Sequence, residues 1–184
     1  MRTIHFTNPC ISIAGKNDID EIVSLVNSAY RGESSTKGWT TEAALLDGLR
    51  TNHASLEKQF TQPGACLLKY QNEEKRIIGC VYLQKKANSL YLGMLTVSPI
   101  LQNRGTGKQL LAAAEQYAKQ AGCNEITMTV ISVRHELIAW YERHGYTRTG
   151  YIQDFPKEKE FGIPKQKLFF IVLEKILNSY ISSG

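Results

Sequence analysis

The chain reads Leu95-Thr-Val-Ser-Pro-Ile-Leu-Gln-Asn-Arg-Gly-Thr-Gly-Lys-Gln-Leu-Leu111 across its middle, and this stretch decides the fold. An apolar strand runs into a short turn, and the turn opens a helix through Arg104, Gly105 and Gly107. The first turn of a helix has N–H donors without internal partners, and the helix dipole adds partial positive charge there. Glycines let the backbone approach a bulky anion, and Arg104 and Lys108 add two cations. The stretch therefore predicts a phosphate or pyrophosphate site.

Two familiar glycine-rich phosphate loops do not match this stretch. A Walker loop needs Gly-x-x-x-x-Gly-Lys-Ser/Thr, but its first glycine falls on Gln102 and its hydroxyl position on Gln109. A dinucleotide fingerprint needs a third glycine where Leu110 stands, and no acidic residue follows at the right distance. The pattern that remains is Gln/Arg-x-x-Gly-x-Gly/Ala after a strand that ends in Val-x-Pro.

Two segments carry a resemblance to a known family. The run Gln102-Asn-Arg-Gly-Thr-Gly107 resembles the acetyl-CoA-binding motif of the GNAT (Gcn5-related) N-acetyltransferase superfamily, and the strand Tyr91–Val97 before it resembles the family's fourth strand. Downstream, Ile138-Ala-Trp-Tyr-Glu-Arg-His-Gly-Tyr146 resembles the second signature, in which a helical tyrosine is followed by Gly-Phe or Gly-Tyr. The two signatures stand in the family's order, and the resemblance covers nearly the whole chain.

The resemblance implies both the fold and the cosubstrate. The implied GNAT fold is α/β, with a single mixed central sheet of about seven strands and flanking helices. The family's fourth and fifth strands, here 89–97 and 125–131, are splayed apart in it. Acetyl-CoA lies between these strands, and an amine attacks the thioester directly in a ternary complex. The implied cofactor-binding residues are Leu95 and Val97 through their backbone, and Gln102, Asn103, Arg104, Gly105, Thr106, Gly107 and Lys108 at the phosphates.

The resemblance also assigns a catalytic acid. Tyr141 matches the family tyrosine that often protonates the departing CoA thiolate. It shares one helix face with Leu137, Ile138 and Gly145, so the alternative is an ordinary core aromatic. General-acid assistance is typically worth about 10²–10⁴-fold in rate. Arg134 stands where many relatives have an asparagine, which changes one expected contact to the pantetheine arm or moves a cation towards the CoA phosphates.

The general base is harder to place. The family usually carries a glutamate on or near its fourth strand, but this strand reads Gly93-Met94-Leu95 and has no carboxylate there. A base must then come from a loop. Glu33, in the loop after the first helix, is the predicted base, and the other candidates in loops are Asp154, Glu158 and Glu160.

The acceptor pocket of this fold is walled by the loop after the first helix and by the last hairpin. Their mixture of aromatic and acidic groups favours a small cationic amine with an apolar body, although ordinary aromatic packing explains it equally well. Two other functions stay open, a non-catalytic acyl-CoA sensor and a protein or peptide N-acetyltransferase. The predicted wall residues are Tyr30, Glu33, Trp39, Phe155, Phe161 and Pro164.

Composition is that of a soluble globular protein, and a cytoplasmic location is expected. The 184 residues, 42% apolar and 21% charged, suit one domain over residues 1–184 with a core of about 11–175. No apolar run approaches the roughly 18 residues of a membrane span, and the first residues lack a signal-peptide core. The net charge of +5 is modest and its basic residues do not interleave with aromatics, so no nucleic-acid partner is expected. Four scattered cysteines without a Cys-x-x-Cys pair indicate no metal site.

Periodicity and turn residues predict the order of the elements. The final strand is strongly apolar and is expected inside the sheet or in a dimer contact, and Phe161–Pro164 is expected to be a loop. Strands are predicted at 10–14, 65–70, 77–84, 89–97, 125–131, 147–152 and 167–175, and helices from Asp18, from Thr40 or Thr41, near Ser55, at 105–121 and at 136–144.

Overall fold

A computed structural model describes residues 4–31, 35–102, 104–156 and 162–177. The strands are β1 (Ile11–Ile13), β2 (Leu46–Asp47), β3 (Ala65–Gln71), β4 (Ile77–Lys86), β5 (Ser89–Val97), β6 (Glu125–Ile131), β7 (Thr147–Asp154), β8 (Ile163–Pro164) and β9 (Phe169–Ile176). The helices are α1 (Ile19–Tyr30), α2 (His53–Phe60), α3 (Thr106–Gln120) and α4 (His135–Arg143), with short 3-10 turns at Lys16–Asp18 and Pro99–Leu101.

Seven strands form one sheet in the order β1-β3-β4-β5-β6-β9-β7, and β2 pairs separately with β8. The pairs are antiparallel except for β5 and β6, which run parallel. This architecture confirms the predicted α/β class and the mixed sheet of about seven strands. β9 lies between β6 and β7, so the apolar last strand is internal to the sheet as expected.

The parallel pair diverges halfway along its length. β5 and β6 pair only from Ser89 with Glu125 to Tyr91 with Thr127, although both strands continue well beyond that point. A bulge accompanies the divergence, because Met94 and Leu95 face one residue of β4, and Met94 has a φ of +51°. A bulge bends a strand and increases its twist. The strands are therefore splayed where the resemblance placed the splay.

The helices cover the two faces of the sheet. Successive side chains of a strand point to opposite faces. Accordingly Leu67 packs in the core with Ile22 and Val26 of α1, whereas its neighbour Leu68 packs in the core with Leu110 of α3. α4 joins the α3 layer through its buried Ile138 and Tyr141 side chains. No helix among the described residues is long and apolar enough to cross a bilayer.

The predicted helix near Ser55 is confirmed as α2. Asn52 caps it, since its side-chain oxygen accepts a hydrogen bond from the Ser55 N–H at 2.9 Å. Asn is among the preferred N-cap residues, because its oxygen satisfies one of the unpaired donors of the first turn.

The predicted helix from Thr40 or Thr41 is wrong. Only one turn forms, closed by a hydrogen bond from the Leu46 N–H to the Glu42 carbonyl, and the chain then enters β2. Burial decides this, because Leu46 packs against Ile131 and Leu168 and its strand pairs with β8. The expected loop at Phe161–Pro164 is corrected in the same way. Ile163 and Pro164 form β8, and Phe161 lies outside the described residues.

Candidate active site

The predicted phosphate loop lies at the start of α3. Gly105 is the N-cap with a φ of +83°, a conformation that glycine adopts without strain, and no side chain of the described residues caps the helix. Arg104 and Lys108 are exposed on either side. A Cβ added to Gly107 would lie 3.7 Å from the Trp140 indole, in ordinary contact. Within the part of the chain that the structure describes, the first-turn N–H groups thus have neither an intrahelical acceptor nor a capping side chain, which fits a phosphate group.

The Gln102 side chain faces the protein instead of solvent. Its Oε1 accepts from the Trp39 N–H at 2.9 Å, and its Nε2 donates to Thr40 Oγ1 at 2.8 Å and to the Val97 carbonyl at 3.3 Å. These bonds tie the loop after α1 to the end of β5. The neighbouring Asn103 lies outside the described residues.

A narrow channel of about 60 Å³ lies beside the start of α3. Val97 lines it from β5, and the buried Thr106 and the side-chain-free Gly107 line it from the helix. Trp39 and Trp140 form its aromatic wall, with ring centroids 6.2 Å apart. Most residues that line the channel are apolar, and Thr106 and Gly107 bring it beside the helix N-terminus.

A larger cavity of about 420 Å³ lies where β5 and β6 diverge, and residues of both strands line it. Four residues line the cavity and the channel alike, namely Tyr30, Leu95, Leu137 and Tyr141. We call their meeting point the junction. Two molecules, one in each space, would meet there, which is the arrangement that a transfer reaction requires.

Tyr141 lies at the junction, as its assignment as an acid requires. The residue is buried, and its ring meets the rings of Trp140 and Tyr146 edge to face at 5.1 and 5.8 Å. Burial, with a smaller contribution from Tyr30, raises the pKa of Tyr141 well above its ordinary value. The phenol therefore keeps its proton at neutral pH.

Tyr30 brings a second phenol to the junction. Its hydroxyl donates to the Leu95 carbonyl at 2.6 Å, and burial followed by the nearby Glu42 carboxylate raises the pKa of Tyr30 to about 12. Sequence reasoning placed Tyr30 in the pocket wall and missed this bond. No sequence signal could have revealed it, because the two residues are 65 positions apart.

A buried charged group lies at the inner wall of the cavity, and we call it the Glu42 cluster. Glu42 lies 3.2 Å from Arg31, 3.8 Å from Arg134 and 4.0 Å from Arg50, so three guanidinium groups share one carboxylate. Burial is the main cause of a lowered pKa at Arg31. Arg134 also donates to the Trp39 carbonyl at 3.4 Å. Its guanidinium therefore faces the cavity and not the phosphate loop.

The structure brings one of the candidate bases to the cavity. Asp154, at the end of β7, is exposed and lines the cavity. The buried Glu42 lines the cavity too. Glu33, Glu158 and Glu160 lie outside the described residues. Within the described ranges, no group of three or more His, Cys, Asp and Glu side chains could hold a metal ion.

A family model and several solved structures resemble this chain. The model of the acetyltransferase (GNAT) family matches residues 19–146. The ribosomal-protein-S18-alanine N-acetyltransferase of Escherichia coli has a TM-score of 0.69 and 14% identity, over 95% of this chain and 97% of that one. A proposed streptothricin acetyltransferase of Bacillus anthracis, solved in complex with acetyl coenzyme A, has a TM-score of 0.54 and 23% identity, over 66% and 67%. At these identities the structures show the fold alone.

One curated sequence also matches. The uncharacterized protein YdhI of Bacillus subtilis (strain 168) is 29% identical over 75 residues, which are 41% of this chain and 46% of that protein. The chain thus spans about half the length of the curated relative that it matches.

Proposed function

The chain belongs to the acetyltransferase (GNAT) family, and on that premise we propose that it transfers an acetyl group from acetyl-CoA to a primary amine of a small molecule. In this proposal the amine attacks directly in a ternary complex. The observation that carries the proposal is the junction, where one set of side chains lines both the cavity and the channel. The cavity would hold the amine and the channel the pantetheine arm.

Acetyl-CoA supplies the activated acyl group as a thioester. The first turn of α3, which no described side chain caps, supports binding of its phosphates there. The relative solved with acetyl coenzyme A supports the same cosubstrate. The residues proposed to bind it are Leu95, Val97, Gln102, Asn103, Arg104, Gly105, Thr106, Gly107 and Lys108.

Tyr141 is the proposed general acid. Tyr141 lines the junction, and its phenol stays protonated at neutral pH because burial raises the pKa of Tyr141. It can therefore hold a proton until the departing thiolate needs it. Tyr30 positions β5 beside it by donating to the Leu95 carbonyl.

Glu33 remains the proposed general base, with Asp154 as the alternative that lines the cavity. Glu42 is a poor third choice, since its oxygens face three guanidinium groups. An attacking amine must lose its proton to a base. Substitution of the residue that acts as this base should therefore remove the rise in rate with pH on the acidic side of the pH–rate profile. Glu33→Gln and Asp154→Asn separate the two candidates.

The size of the cavity supports a small acceptor. Its volume of about 420 Å³ falls within the roughly 300–1,000 Å³ typical of small-molecule pockets. The alternative is a protein that binds acyl-CoA without turnover. The observation that favours it is that residues 93–95 of β5 carry no carboxylate that could act as a base.

Release of free thiol from acetyl-CoA tests the proposal directly. The assay would use a panel of small amines, amino acids, polyamines and peptides. We expect release with a small-molecule class and little with peptides. Stabilisation by acetyl-CoA without any release would favour the non-catalytic alternative, and release only with peptides would identify a protein acetyltransferase.

A further inference from the structure

The cavity carries more positive than negative charge at its inner wall. Three guanidinium groups face Glu42, and Arg31 contacts it from outside the cavity lining. Arg50 and Arg134 line the cavity itself. Two guanidinium groups beside a single carboxylate on one cavity wall suit the acid group of a ligand.

Arg134 has the geometry of an anion-binding group. Its side chain is only 10% exposed, and among the described residues its buried Nη1 makes no hydrogen bond. The nearest Glu42 oxygen is 3.8 Å from that atom, beyond hydrogen-bonding distance. A guanidinium presents five N–H donors in a planar fork that matches carboxylate or phosphonate oxygens in pairs. Part of this fork, at Nη1, therefore lacks an acceptor among the described residues.

Arg50 supplies a second cation beside the first. Its guanidinium lies 5.7 Å from the centre of the Tyr30 ring and 4.0 Å from Glu42, and its side chain is 26% exposed. In the described part of the chain this side chain donates no hydrogen bond to protein. The Tyr30 ring thus holds a partly solvated guanidinium at the cavity wall.

The two arginines lie close to the junction but outside the channel. Arg50 packs on Tyr30, and the Tyr30 hydroxyl reaches the Leu95 carbonyl at the junction. Neither arginine lines the channel beside α3, so they are not part of the proposed phosphate site. A ligand with its acid group at the arginines would place an amine a few bonds away at the junction.

We propose that the acceptor is a small amine that also carries an acid group, of the amino-acid or aminophosphonate type, and that Arg134 and Arg50 bind the acid group. This inference rests on the proposed function and deepens it. It replaces the expectation of a cationic acceptor, which was drawn from aromatic and acidic loop residues. A primary amine of this class differs from a peptide N-terminus, which has no acid group at that distance.

The test compares matched acceptors that differ only in the acid group. Free amino acids are paired with their amides, and aminoalkylphosphonates with the corresponding amino alcohols, in the thiol-release assay and in thermal unfolding. We expect KM for the acids to be lower than for their partners by about tenfold or more. Arg134→Gln and Arg50→Gln should each remove most of this difference through KM, with kcat changed little. Arg76→Gln, a surface control whose side chain is 76% exposed, should preserve it.

The readouts separate failure of this inference from failure of the proposed function. Stabilisation by acids but not by amides, lost in Arg134→Gln, supports the acid site even if no amine releases thiol. Release with amides as fast as with acids overturns the acid site and leaves acetyl transfer standing. Absence of any preference in both assays overturns the inference outright. Arg134→Lys keeps the positive charge but lacks the planar pair of donors. It replaces Arg134→Gln in the test if the glutamine variant does not fold.

Discussion

Tyr141 lines the junction, and it differs from phenylalanine only by its hydroxyl oxygen. The rest of the side chain packs against Trp140 and Tyr146, which phenylalanine would preserve. Tyr141→Phe should therefore lower kcat by about 10²-fold or more, as loss of a general acid does. Acetyl-CoA affinity should change by less than about twofold. Steady-state kinetics and calorimetric titration measure the two quantities.

Tyr146→Phe is the matched control for that variant. Tyr146 is equally buried, its ring centroid lies 5.8 Å from that of Tyr141, and its hydroxyl makes no hydrogen bond among the described residues. Removing an unsatisfied buried hydroxyl should be neutral for activity and neutral or slightly favourable for stability, by up to about 1 kcal/mol. Similar losses of activity in both variants would reduce Tyr141 to a packing residue.

The start of α3 combines a helix dipole with a glycine that no other residue replaces easily. Gly105 has a φ of +83° and open space around it, with Gln109 Nε2 as the nearest atom at 3.8 Å. Gly105→Val should strain the backbone and displace the first-turn N–H groups. We expect acetyl-CoA to bind at least about tenfold more weakly, because aligned donors are lost from the phosphates. Titration of the cofactor against intrinsic tryptophan fluorescence measures the change.

Gly122 offers the same strain at the opposite end of the helix. It has a φ of +72° and no atom within 4 Å of an added Cβ. Gly122→Val should therefore destabilise the fold by an amount similar to Gly105→Val, on the order of 1–3 kcal/mol. Its acetyl-CoA affinity should stay at the wild-type value. If the two variants weaken cofactor binding equally, global strain and not the phosphate site explains the effect.

Elements with strong periodicity could be predicted, and elements built by distant contacts could not. α3 and β5 show their apolar spacing and their glycine boundary within about twenty residues of sequence. The sequence of residues 40–47 indicates a helix on local grounds. In the structure, however, Glu42 forms an ion pair with Arg31, and Leu46 is buried against Leu168. Tertiary burial overrides local propensity there. β8 could not be predicted for the same reason, because its partner strand β2 lies more than 100 residues away in the chain.

At the scale of the whole molecule, the sequence showed net charge but not where the charge lies. A value of +5 over the chain reads as a modest surface bias. The fold instead brings Arg31, Arg50 and Arg134 within 4.0 Å of one carboxylate, from three separate loops. The loop before α3 and the position of Tyr141 on α4 could be predicted because each belongs to a contiguous motif, and their roles stay predictions. The Glu42 cluster could not, because no local pattern relates its members.

The buried phenols of the junction make the whole fold sensitive to alkaline pH. An unfolded tyrosine loses its proton near pH 10, whereas Tyr30 in the fold keeps it up to a pKa of about 12. Its contribution to stability is thus fully present below pH 10 and is lost as pH rises from 10 towards 12. The free energy of unfolding should fall in that range by about 1.4 kcal/mol per pH unit for each such group.

Tyr30→Phe isolates this effect, because it removes one titrating group and leaves the rest of the chain unchanged. Urea unfolding between pH 9 and pH 11.5 should show a shallower decline for the variant than for the wild type, by the slope of one proton, about 1.4 kcal/mol per unit. The variant should also start lower at pH 9, since it lacks the bond to the Leu95 carbonyl, worth about 1 kcal/mol. The two curves should consequently converge as pH rises. Parallel decline of Tyr30→Phe and wild type would mean that Tyr30 ionises in the folded protein as easily as in the unfolded chain, and that the junction is open to water.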